Sequence, residues 1–153
     1  MTRGTLSASA RRRAVLLGML ASSLMVGAAA GSASQDYMLY CMGCHGAQAQ
    51  GVPGKVPPLA HALGRFMRSP EGRDYVLRVP GAANSVLSDA QLAAVLNWIA
   101  AHFDDGELAA DVPWFTPAEV SRSRHIPLAS VRETRRDVVR ALSGTGPAPA
   151  ADY

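Results

Sequence analysis

Only two of the 153 residues are cysteine, and they stand three positions apart, at Cys41 and Cys44. So few thiols exclude a multi-disulfide framework and an all-cysteine zinc knot, which needs a second pair. Strand patterning is almost missing as well: apolar and polar residues hardly alternate over four to eight positions anywhere. Sheet-based classes drop out, and an all-α fold is expected. An excess of basic charge is also lacking once the chain is divided. Of 15 basic side chains against 12 acidic, four arginines (Arg3, Arg11, Arg12 and Arg13) precede the apolar run AVLLGMLASSLMVGAAA at 14–30. Without them eleven basic groups face twelve acidic ones, too little positive field to hold nucleic acid.

A basic stretch, an apolar run and the small residues AAAGSAS in that order read as an export signal over 1–34, with cleavage between 30 and 35. The alternative is a retained anchor, although the apolar run is slightly shorter than the roughly 20 residues of a spanning helix. The expectation is a periplasmic protein whose mature form has no membrane span. Beyond the leader, 35–111 carries a charge near −3 and 112–153 near +2. Such a mild asymmetry suits a solvated surface or a docking face.

The segment YCMGCHGAQAQG (40–51) holds both cysteines, with His45 directly after the second. Two thiols with two residues between them serve in a small strained disulfide, a thiol-exchange site, a zinc clamp or a covalent haem attachment. Thiol exchange belongs to alternating strands and helices, which are not found here. Structural zinc needs two more ligands at close spacing, whereas His61, His102 and His125 are scattered. Haem attachment fits the residue types: two thiols add to the two vinyl groups as thioethers, and the next residue brings an imidazole to the iron.

The rest of the chain reads as helices around that site. SQDYMLYCMGCH suits a first helix, GAQAQGVPGKVPPLA (46–60) a loop rich in glycine and proline, and EGRDYVLRV (71–79) a short helix stopped at Pro80-Gly81. Ser88 with Gln91 forms a capping box, after which Leu92, Val95, Leu96, Ile99 and Phe103 share one helical face that should pack on the first helix.

On these residues the span from about Tyr37 to Phe103 resembles a class I cytochrome c domain. The attachment pentapeptide ends the first helix, a later helix carries an aromatic (Trp98), and Pro57-Pro58-Leu59 is followed by Gly64-Arg65. The resemblance implies a helical domain over 35–111 wrapped around one covalent haem c, held by Cys41 and Cys44 with His45 as proximal iron ligand. It also implies that the Pro57 carbonyl accepts the His45 N–H, that Leu59 and Trp98 lie at the haem, and that Arg65 faces a propionate.

The resemblance breaks at the loop PGAANSVL (80–87), where the family usually carries a methionine as second axial ligand and this chain has neither methionine nor histidine. Met67 is the candidate distal ligand; His61, His102, His125 and Asn84 are further options, as is an open position. After 111 the chain extends beyond a minimal cytochrome. Thr116 with Glu119 and Ser130 with Glu133 cap helices near 117–125 and 130–142, giving a helical extension over 112–143. The second places Val131, Val138 and Leu142 on one side and Arg132, Arg135, Arg136 and Arg140 around the rest, either as structural cover or as a basic docking surface. Residues 144–153 are expected to be disordered.

The function these features imply is electron transfer rather than enzymatic catalysis: a carrier between a periplasmic dehydrogenase and a downstream cytochrome or oxidase. The rival is a haem sensor or enzyme whose open sixth position binds small molecules.

Overall fold

The computed structural model describes residues 31–153 except 105–107, 109 and 145; of the expected leader over 1–34, residues 1–30 lie outside the described residues, and Ser32 caps the first described helix. Among them the regular elements are helices: α1 (Ala33–Tyr40), α2 (Met42–His45), α3 (Leu63–Phe66), α4 (Pro70–Arg78), α5 (Pro80–Ala83), α6 (Asp89–His102), α7 (Pro117–Ser123) and α8 (Val131–Ser143). The only strand-like pairing among the described residues is an isolated bridge between Val52 and Val56, inside the loop that follows α2. None of these helices is long and apolar enough to cross a membrane.

Two boundaries differ from the expected ones for local reasons. The first helix is not continuous through His45, because Cys41 leaves helical geometry (φ −123°, ψ −41°) and divides α1 from α2. Pro80 does end α4, but it also opens α5, since its fixed φ suits the first position of a helix. Ser32 with Gln35 and Ser88 with Gln91 form reciprocal capping boxes on α1 and α6.

The long helix α6 is the axis of the domain. It packs against α1, α3 and α7, so its burial extends beyond one stripe: Leu92, Val95, Leu96 and Ile99 are buried, and so are Ala93 and Ala100. At its crossing with α1, Tyr37 lies 5.5 Å from both Trp98 and Phe103, ring centre to ring centre.

The extension is bonded tightly to this core. Arg73 on α4 donates from Nε to Glu119 Oε1 (2.7 Å) and from Nη2 to Oε2 (2.6 Å), reaches the carbonyls of Pro113 and Trp114, and lies over the Phe115 ring. Glu119 therefore grips Arg73, while Thr116 accepts from the Glu119 N–H to cap α7. The last residues, expected to be disordered, lie along the domain instead. Carbonyls of Pro147, Ala148 and Ala150 accept from Arg68, Arg65 and Arg135, and Asp152 pairs with Arg136. Four arginines supply the backbone contacts and charge pairing that the composition of this segment does not suggest.

Candidate functional site

Cys41, Cys44 and His45 open onto a cavity of about 280 Å3. On one side it is walled by these residues and by Pro57, Pro58 and Leu59 of the following loop; Leu92, Val95, Leu96 and Ile99 of α6 form its apolar floor. The other side comes from α3, α4, α5, α8 and the final residue: Phe66, Tyr75, Val79, Ala82, Arg135 and Tyr153. Helices α1 and α2 pack on each other and α1 on α6, whereas α8 packs on α4 and α3. The cavity thus lies between the thiol-bearing helices and the wall built partly by the extension.

Local sequence determines how the first side is presented. Because α2 is a single turn, the Cys44 and His45 N–H groups both bond back to the Cys41 carbonyl, at 3.2 and 3.0 Å. That turn aligns both sulfurs with the imidazole. Gly46, in positive φ, then turns the chain away, and its carbonyl accepts a 2.5 Å hydrogen bond from the Tyr37 hydroxyl. The loop returns so that His45 Nδ1 is 3.0 Å from the Pro57 carbonyl oxygen. With its proton on Nδ1, donating to that carbonyl, the ring keeps the Nε2 lone pair for a metal. Burial holds the His45 pKa below its ordinary value despite the opposing Pro57 contact. The imidazole is therefore neutral, the form that ligates.

The thiols carry their own signal. Both cysteines are free, and burial, with Asp36 and Cys44 adding, pushes the Cys41 thiol up to about 11. A thiol-exchange site needs the reverse, a lowered pKa. No cluster of three or more His, Cys, Asp or Glu able to hold a bare metal ion occurs among the described residues. Two free thiols beside an oriented neutral imidazole, on the edge of an apolar cavity, are a donor set that fits covalent haem.

Other expected site residues fall elsewhere. Met67, the candidate distal ligand, caps α3 with its N–H on the Leu63 carbonyl and is 1% exposed within the apolar core, outside the cavity wall. Arg65, expected to face a propionate, is half-buried, lies outside the cavity wall and donates to the Ala148 carbonyl of the tail. Trp98 lies outside the cavity wall, between Tyr37 and a stacked His102 (4.5 Å). His61, His102, His125 and Asn84 are exposed and absent from the wall. Among the described wall residues there is no methionine, and no histidine besides His45.

Arg135 and Tyr153 were not anticipated at the site. A signal for Arg135 was present: it falls between Val131, Val138 and Leu142 at helical spacing, inside the apolar stripe rather than on the basic face, and is 3% exposed.

No family model matches the chain. Two curated proteins do. One cytochrome c-552 of Thermus thermophilus is 30% identical over 125 residues, covering 69% of this chain and 84% of that protein. A second cytochrome c-552 of Thermus thermophilus is 32% identical over 102 residues, covering 55% of this chain and 78% of the relative. Similarity over most of the relative's length, joined to this donor set, shows that the chain belongs to the c-type cytochromes, proteins that carry covalently bound haem c.

Proposed function

We propose that this protein is an exported, periplasmic electron carrier of the class I type, which takes electrons from a dehydrogenase and passes them to a downstream cytochrome or oxidase. Cys41 and Cys44 hold the haem through thioethers and His45 ligates its iron. When bound, the haem supplies a one-electron iron centre. The chain's own part is positional. The Pro57 carbonyl holds the His45 proton at Nδ1, α6 and the loop exclude water with apolar side chains, and the exposed Cys44 marks the open edge. The hydrogen bond between His45 and Pro57, beside the two free thiols, is the observation that carries this reading. It is tested by producing the protein in a host with haem-maturation machinery and measuring intact mass and visible spectrum. A haem-mass increment lost in the Cys41→Ala, Cys44→Ala double variant is expected; colourless protein without the increment refutes it.

A second reading is favoured by the wall's lack, among the described residues, of a methionine or a further histidine. The sixth iron position is then open or weakly closed, and the protein binds small ligands such as carbon monoxide. Rapid binding by the reduced protein, with a high-spin spectrum, supports this reading; a low-spin, unreactive reduced form supports the pure carrier.

A further inference from the structure

Arg135 is the buried charge of the cavity wall. Its side chain is 3% exposed, and Nε and Nη2 both donate to the Ala150 carbonyl, at 3.1 and 2.9 Å. The guanidinium carbon lies 5.1 Å from the Phe66 ring centre and 5.2 Å from that of Tyr153, with the Tyr75 hydroxyl hydrogen-bonded to it. Each of these contacts is to a neutral group, a carbonyl, a ring or a hydroxyl, and among the described residues Arg135 forms no ion pair with a carboxylate, the terminal one of Tyr153 included. Among the described residues no aspartate or glutamate lines the cavity. A guanidinium stays protonated in a protein, and burying it without a counter-charge is unfavourable. An anion from outside the polypeptide resolves this, and the two carboxylate side chains of a haem bring such charge into the cavity.

We infer that Arg135 is the anion-binding residue of the cavity and that its anion is a carboxylate of the haem. The inference rests on the haem reading of Cys41, Cys44 and His45. It gives the extension a role beyond cover: α8 and the tail bring Val131, Arg135 and Tyr153 to the wall, and Tyr75, Phe66 and Tyr153 hold the guanidinium in place. A fixed positive charge there disfavours the ferric state more than the ferrous one, so Arg135 holds the reduction potential up.

The test uses holoprotein of wild type, Arg135→Leu and Arg135→Lys, each first checked for haem by intact mass. Absence of haem from the wild type refutes the haem reading itself. With haem loaded, Arg135→Leu is expected to show a lower midpoint potential and a displaced propionate bending band in resonance Raman. Arg135→Lys should recover most of the potential yet still displace the band, because an ammonium cannot reproduce the planar fork. Wild-type potential and band in a fully loaded Arg135→Leu overturn the inference. If that variant does not accumulate, an unmoved band in Arg135→Lys overturns it equally. Titrating chloride and phosphate at constant ionic strength separates the two sources of anion: a wild-type potential that follows anion concentration, and ceases to in the variants, assigns a free anion and refutes the haem carboxylate.

Discussion

Gly51 and Pro57 meet backbone to backbone: a Cβ on Gly51 would stand 2.7 Å from the Pro57 carbonyl oxygen, the same atom that His45 Nδ1 approaches to 3.0 Å. Gly51 also has φ +68°, and its N–H bonds to the His45 carbonyl at 2.8 Å. One small residue therefore allows the loop to close over the imidazole.

Gly51→Ala should damage both stability and tuning. The left-handed backbone alone costs about 1–2 kcal/mol for a residue with a Cβ, and relieving the clash pushes the Pro57 carbonyl away from His45. A weaker hydrogen bond makes the imidazole less electron-rich, which favours ferrous iron. Thermal denaturation should show the loss, and voltammetry a potential higher than wild type, opposite in sign to the shift expected for Arg135→Leu.

Removing one member of the pair between Arg73 and Glu119 should loosen the extension. Arg73→Leu leaves Glu119 and the Pro113 and Trp114 carbonyls without their donor, at a cost of about 3 kcal/mol. The double variant Arg73→Leu, Glu119→Leu should cost less than the two single losses combined, since no charge is stranded. Denaturant titration reads both effects, and limited proteolysis should cut first near 112–130.

Alkaline pH should destabilise the fold through two tyrosines. Burial raises the pKa of Tyr37 and Tyr75 above the ordinary value of 10. A raised folded-state value means that stability is intact below pH 10 and is lost as pH rises through it, because the unfolded chain ionises first. Tyr37→Phe removes one of these groups and flattens the decline. It also deletes the hydrogen bond to the Gly46 carbonyl, costing about 1 kcal/mol at neutral pH.

Met67→Leu should leave the visible spectrum of the haem-loaded protein as it was. The residue is packed in the core and outside the cavity wall, and a swap of similar volume costs less than about 1.5 kcal/mol. Loss of a sulfur-to-iron charge-transfer band in this variant would contradict that placement.

Much of the site was legible where chemistry and local geometry coincide in sequence. Cys41, Cys44 and His45 share one turn of chain, so their juxtaposition needs no tertiary contact. The Ser88 and Gln91 box and the apolar spacing after it marked α6 in the same way, because capping and helical period act within a few residues. Met67 and Arg65 were harder. Each has the right side chain for a haem role, but the side chain's direction depends on the core and tail that surround it.

The polypeptide sequence by itself determined the helical class, the attachment turn and the amphipathic faces, since each follows from backbone preferences and side-chain chemistry over one or two turns. Only the tertiary structure decided what those faces meet. It brought Pro57 to His45 across twelve residues, turned Met67 into the core, folded the tail onto arginines of α3, of the turn after it and of α8, and set Arg135 in the wall across from the thiols. Such pairings depend on which buried groups find partners once all the helices are packed together, and that competition is settled over the whole molecule rather than along any stretch of it.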